Sequence, residues 1–160
     1  MKIAFQGELG AYSHLATLEL YPKAEVIACT TFDECFKLAQ KDNQYNIIIP
    51  IENSLAGRVA DIQYLIPKYK LQIYAEYFHP VNHYLLGVPG SKLNNVKYVR
   101  SHSHAISQCQ NIITKYNLQP IISADTAGSP KFISENNKTS EVAIASSLSA
   151  KIYNLDILRK

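Results

Sequence analysis

Long apolar runs are missing from this 160-residue sequence. None approaches the roughly 18 residues that a membrane span needs, so a soluble globule with no membrane partner is expected. The opening, MKIAFQGELG, meets a glycine and a glutamate too soon for a secretory leader, which makes the cytoplasm the expected address. Cysteine is scarce as well. Cys29, Cys35 and Cys109 are odd in number and contain no CxxC pair, which excludes a disulfide framework and a zinc knuckle and predicts reduced, mostly buried thiols. Only three arginines occur, Arg58, Arg100 and Arg159, and the net charge of +3 rests on scattered lysines. No basic block is present to track a phosphate backbone, so nucleic acid is excluded as a partner. Glycine spacing fits neither a P-loop nor a dinucleotide fingerprint, and no nucleophile elbow occurs, which removes nucleoside triphosphates and redox cofactors.

What is there is an apolar fraction of 47%, enough for one ordinary domain or two small lobes. Residues 2–7 read as a strand and 11–21 as a helix. A second strand over 24–29 and a helix over 30–40 follow, with Thr30 or Thr31 as cap and Phe32, Cys35, Phe36 and Ala39 on one face. The apolar run of 46–51 suits a strand buried on both faces of a parallel sheet, followed by a helix over 57–67 that Asn53 or Ser54 caps. Residues 71–90 alternate apolar and polar side chains, as a segment crossing between lobes does, with Gly90-Ser91 marking a boundary. The second half repeats the grammar: strands over 96–99, 119–123 and 142–146, helices over 101–116, 126–136 and 147–154, and a last strand beginning at DILRK. Alternating elements of this kind argue for an α/β architecture.

In parallel α/β sheets, ligands gather outside the carboxyl ends of the strands. Five strand-to-helix junctions carry small or hydroxyl-bearing residues: Ala11-Tyr12-Ser13, Asn53-Ser54, Ser101-His102, Asp125-Thr126-Ala127 and Ser146-Ser147. Each helix start favours an anion by about 0.3–1 kcal/mol, so several together would hold a dianion with few arginines. Taken singly, each is explained by helix capping alone. Glu52 is not: a carboxylate closing an apolar strand has to be solvated, paired or functional. His102 and His104, two apart on a helix, share no face and have no cysteine or carboxylate cluster nearby, so no metal is expected. His79 and His83 read as solvated strand histidines. The residues alone lead to a two-lobed α/β protein that binds a small anion, and no further.

The segments KIAFQGELGAYSH, IPIENSLAGRV, RSHSHAISQC, ADTAGSP and AIASSLSAKIYNLDIL, taken in order, resemble the prephenate dehydratase family over nearly the whole chain. The resemblance implies an α/β fold of two subdomains with parallel or mixed sheets flanked by helices, similar to a type II periplasmic binding protein, with the active site in the interlobe cleft. The first subdomain is expected over 1–78, joined by a strand from about 155–160 that returns to it, and the second over 79–154. The implied reaction takes prephenate to phenylpyruvate with loss of water and carbon dioxide, without a cofactor, in a homo-oligomer of two or more copies. Ala11, Tyr12, Ser13, Glu52, Asn53, Ser54, Ser101, His102, Thr126 and Ala127 resemble the family's substrate-binding positions, with Glu52 ordering the Asn53-Ser54 loop. The family's Thr-Arg-Phe motif, whose threonine is held to be needed for activity, does not occur, and His102 is the one candidate here for proton donation. A chain ending at Lys160, before that motif and before a phenylalanine-binding ACT domain, is expected to be an incomplete enzyme, less stable or prone to associate. Arogenate is an alternative substrate, and a small-carboxylate sensor of the same fold is an alternative function. A periplasmic solute-binding protein is disfavoured by the absence of a leader.

Overall fold

Lys2–Gln6 (β1) sets the frame of the first sheet, because Ile3, Ala4 and Phe5 are all buried in it. In a computed structural model that describes Met1–Lys160, the chain divides into two units. The first comprises Met1–Glu8 and Tyr12–Pro80; the second comprises Leu9–Ala11 and Val81–Lys160. No helix of either is long and apolar enough to cross a membrane.

In the first unit β1 is followed by Tyr12–Leu20 (α1), Glu25–Cys29 (β2), Phe32–Lys41 (α2) and Tyr45–Ile47 (β3). The sheet runs β2-β1-β3, all parallel, with Lys2 opposite both Glu25 and Tyr45. Thr31 starts α2: its Oγ1 accepts the Glu34 N–H at 3.1 Å while Glu34 Oε2 accepts the Thr30 N–H at 2.8 Å. This reciprocal cap contributes about 1 kcal/mol. Glu52–Asn53 (β4) and Gly57–Arg58 (β5) form a small antiparallel hairpin, and Ala60–Tyr69 (α3) then packs Ile62, Leu65 and Tyr69 against Phe36 of α2. Burying a ring such as Phe36 contributes about 1.5–3 kcal/mol.

The second unit holds Tyr84–Gly87 (β6), Tyr98–Ser101 (β7), Ser103–Gln108 (α4), Gln110–Lys115 (α5), Gln119–Ile122 (β8), Gly128–Glu135 (α6), Glu141–Ala145 (β9), Ser147–Ile152 (α7) and Asp156–Arg159 (β10). Its sheet runs β10-β6-β9-β7-β8, with β6 antiparallel to both neighbours and β7, β8 and β9 mutually parallel. Strand β9 is the buried axis. Val142 and Ile144 join one core cluster with Leu85, Val99 and Ile106, while Ala143 and Ala145 join another with Leu86 and Ile133. Alternate residues thus enter opposite layers, as the two-residue period of a strand requires.

Several sequence expectations are corrected. The run at 46–51 is no doubly buried strand: β3 has three half-buried residues at the sheet edge, and Ile51 is largely exposed. The fully covered strand is β9. No helix starts at Gly57, and neither Asn53 nor Ser54 caps one, because residues 52–58 form the hairpin and α3 begins at Ala60 with Val59 at its cap position. The final strand does not return to the first unit: β10 pairs with β6 in the second, Asp156 opposite Gly87. The units part at Pro80/Val81, and Gly90-Ser91 is a turn inside the second unit, where Gly90 N–H meets Asp156 Oδ2 at 3.0 Å. Of residues 71–90 only Tyr84–Gly87 form a strand. The helix expected over 101–116 is interrupted at Cys109.

Candidate functional site

Parallel strands deliver their carboxyl ends to one edge of a sheet. In the second unit this brings together the ends of β7 at Ser101, β8 at Ile122 and β9 at Ala145, and with them Ser101-His102, Asp125-Thr126-Ala127 and Ser146. In the first unit the ends of β1, β2 and β3 share an edge in the same way.

The hairpin of the first unit is built by Asn53. Its Oδ1 accepts the N–H groups of Leu55 and Ala56, each at 2.9 Å, closing the turn from its own side chain. Gly57 completes the turn with φ +81°, and Val59 N–H extends the pairing to Ile51 O at 3.0 Å. With its carbonyl engaged, Asn53 has its amide NH2 to offer a ligand. Glu52 is exposed and lies opposite Arg58 in the hairpin register. The ordering of the loop therefore comes from Asn53 itself rather than from Glu52. Ser54 is exposed on the turn. Tyr12 and Ser13 open α1, where Ser13 O accepts the buried Thr17 hydroxyl at 2.7 Å. The Tyr12 ring stands 6.2 Å from that of His79.

His79 is not a solvated strand residue. Its side chain is 10% exposed, its Nδ1 is 3.0 Å from Glu19 Oε2, and the Tyr77 hydroxyl donates to the same oxygen at 2.8 Å. His83, also outside any strand, sets Nε2 2.8 Å from Gln108 Oε1.

At the strand ends of the second unit, Ser101 is fully buried and its hydroxyl donates to Ile144 O at 2.7 Å. That hydroxyl fixes β7 to β9 and leaves the presentation of polar groups to its neighbour. His102 is half-buried and caps α4, its Nδ1 accepting the His104 N–H at 3.3 Å. Burial lowers the His102 pKa from its ordinary value, the nearby His104 adds to this, and Asp125 opposes it. Asp125 Oδ1 accepts the Gly128 N–H at 2.6 Å and so caps α6 in place of Ala127, which is buried and has no side-chain cap bond to give. Thr126 is half-buried on this loop. The loop is braced from behind by the Ser123 and Ser129 hydroxyls, 2.6 Å apart.

A feature that sequence reasoning missed lies at Leu9–Ala11. Gly10 O accepts the hydroxyls of Ser146 at 2.6 Å and Ser149 at 3.1 Å, and Leu9 O accepts the Tyr153 hydroxyl at 2.8 Å. Gly10 has φ +95°, and a Cβ there would collide with Ser149 Oγ and lie 3.0 Å from Ser149 Cα. The signal was in the sequence as a glycine two residues before a helix, but its partners lie some 136 residues away.

A groove of about 400 Å³ opens near the ends of β1 and β2, lined by Gln6, Thr30, Thr31, Phe32, Asp33, Asp61, Tyr64 and Leu65. It contains none of the expected substrate-binding residues, and its two carboxylates disfavour an anion.

A family profile described as prephenate dehydratase matches residues 3–160. The chain is 40% identical over 158 residues to a bifunctional N-acyl-homoserine lactone acylase/prephenate dehydratase of Komagataeibacter europaeus, covering 99% of this chain and 56% of that one. It is 39% identical over 158 residues to the chloroplastic arogenate dehydratase/prephenate dehydratase 1 of Arabidopsis thaliana, covering 99% and 40% respectively. Among solved structures, it superposes with a TM-score of 0.93 at 39% identity on a quorum quenching acylase of a novel type, covering 99% of this chain and 58% of that one. The TM-score is 0.89 at 25% identity for the prephenate dehydratase of Arthrobacter aurescens in complex with L-Phe, covering 99% and 54%. The chain thus spans about half the length of the curated relatives it matches.

Proposed function

The chain belongs to the prephenate dehydratase family, and we propose that it binds prephenate and converts it to phenylpyruvate in phenylalanine biosynthesis. The observation that carries this reading is the gathering, at the parallel strand ends of the second unit, of neutral polar groups suited to carboxylates, His102 and Thr126; the Asn53 amide of the first unit is a further proposed substrate-binding group. Ala11, Tyr12, Ser13, Glu52, Ser54, Ser101 and Ala127 complete the set, with Ser101 and Ala127 acting through backbone position because one hydroxyl is engaged and the other residue is buried.

In the reaction, the bond from the ring to its carboxylate breaks and its electron pair enters the ring. The hydroxyl on the far side leaves with a proton as water. One proton is taken up for each carbon dioxide and water released, and aromatisation drives the step. The protein's tasks are to orient two carboxylates and to supply that proton. His102, with Nδ1 engaged as an acceptor, serves the second task by holding the leaving hydroxyl through Nε2–H, while the proton taken up comes from water. Arogenate, which differs at the side chain and keeps the ring, is the alternative substrate within this reading. A sensor that holds a small carboxylate without turnover is the alternative to catalysis.

Phenylpyruvate formation from prephenate, followed by absorbance, tests the reading, with arogenate in parallel. Melting measured with and without prephenate separates binding from turnover: a ligand at a hundred times its Kd stabilises by about 2.7 kcal/mol. The absence of both turnover and a melting shift would overturn it, and a shift without turnover selects the sensor. A second reading, N-acyl-homoserine lactone hydrolysis, is favoured by the relative at 40% identity that bears both names. Release of homoserine lactone from an acylated substrate tests it on the same preparation.

A cytoplasmic, homo-oligomeric protein belongs to the same proposal. The unpaired Cys29, Cys35 and Cys109 support a reducing compartment. The exposed Ile73, Tyr74 and Phe78 provide apolar surface for association. Light scattering after size exclusion measures the assembly.

A further inference from the structure

The strand-end group of the second unit includes a histidine that the substrate-binding set omits. His102 Nδ1 accepts the N–H of His104 at 3.3 Å. A protonated Nδ1 cannot make that bond, because two N–H groups would then face each other. In the neutral ring the single proton therefore sits on Nε2. The His104 ring stands edge-on to the His102 ring, centroids 4.9 Å apart and planes at 78°. A proton added to His102 would both break the cap of α4 and set a cation beside a second titratable imidazole. The groups that face His102 are His104 on its own helix and Asp125 on the loop after β8; burial and His104 hold its pKa down, and Asp125 pulls it up. Asp125 is itself tied to the α6 start through the Gly128 N–H.

We propose that His104 is a positioning residue: its N–H and its ring together hold His102 as the neutral Nε2–H tautomer, so that His102 meets a carboxylate or a leaving hydroxyl as a hydrogen-bond donor and not as a cation. The role toward substrate rests on the dehydratase reading, in which His102 faces the ligand. The tautomer itself does not.

Nitrogen NMR of the imidazoles in the full 160-residue chain tests the assignment, for the native protein and for His104→Gln, titrated between about pH 5 and pH 8 around the ordinary histidine range. The variant keeps the backbone N–H and removes the second imidazole. The expected result is an Nε2–H tautomer for His102 in both proteins and a titration midpoint that rises in His104→Gln. The acid limb of kcat/KM with prephenate should move to higher pH by the same amount. An Nδ1–H tautomer in the native protein, or a midpoint that stays in place in the variant, overturns the proposal. The two readings separate cleanly. An active chain with His102 in the Nδ1–H form overturns the positioning role alone, whereas the expected spectra in a chain that neither turns over nor binds prephenate overturn the dehydratase reading and the role built on it.

Discussion

At Asn53 one carboxamide closes a turn and, in the proposed site, offers its NH2 to the ligand, so its two ends can be tested apart. The carbonyl closes the hairpin through Leu55 and Ala56. Asn53→Ala removes both bonds and is expected to lower stability by about 1 kcal/mol and weaken prephenate binding. Asn53→Asp keeps an accepting oxygen and replaces the NH2 with negative charge, so the urea midpoint should change little while affinity for the dicarboxylate falls tenfold or more, about 1.4 kcal/mol. Equal affinity in Asn53→Asp and native protein, measured by calorimetry, would remove Asn53 from the ligand site. Ser101 is the contrasting case. Its hydroxyl donates to Ile144 O in the core, so Ser101→Ala should cost about 1 kcal/mol by removing that buried hydrogen bond. Denaturation should register the loss, and ligand affinity per folded molecule should stay within a few-fold.

Among the elements, helices α2 and α3 are tied by a single carboxylate. Asp33 accepts the Lys68 ammonium at 2.9 Å and the Tyr69 hydroxyl at 2.7 Å, and pairs with Lys37 at 2.7 Å. Lys37, Lys68 and Tyr69 hold the Asp33 carboxyl well below the usual range. The folded state therefore resists protonating it. Its stabilising effect is complete above an unfolded value of about 3.9 and is lost as pH falls from there toward the lower folded value. Urea midpoints taken from pH 6 downward should fall more steeply below about pH 4 in the native protein than in Asp33→Asn. The reach of sequence reasoning also shows best among the elements. Helix α2 was legible because Thr31, Glu34, Cys35 and Phe36 present a cap and a buried face at local spacing. The hairpin at 52–58 was not, because Glu52, Asn53 and Ser54 carry the same residue types as a helix cap, and a side chain that closes a turn looks the same in sequence as one that opens a helix. The apolar run at 46–51 misled for another reason: apolar content does not say whether a strand lies at the centre of a sheet, as β9 does, or at its edge, as β3 does.

For the molecule as a whole, the alternation of strands and helices carried the fold class, and the ordered segments carried the family. Which strand joins which unit was not legible, since pairing of β10 with β6 depends on contacts some 70 residues apart. Anion binding is expected to rest on amides, hydroxyls and a neutral imidazole, so it should resist salt. Raising ionic strength from about 0.05 to 0.5 M shortens the Debye length severalfold, yet the Kd for prephenate should change less than fivefold, where a site built on paired arginines would lose far more. Titration calorimetry at both salt levels measures this. The strand-end polar groups and the buried β9 axis both lie downstream of Val81, which invites dissection of the gene at Pro80/Val81 into two expression fragments. The Leu9–Ala11 loop stands against it. A fragment starting at Val81 would lack the carbonyls of Leu9 and Gly10, and so would lose the acceptors of the Ser146, Ser149 and Tyr153 hydroxyls on that loop. The second unit is discontinuous along the gene, and three residues encoded near its beginning must be supplied, as a fused or added peptide, before the remainder can be produced alone.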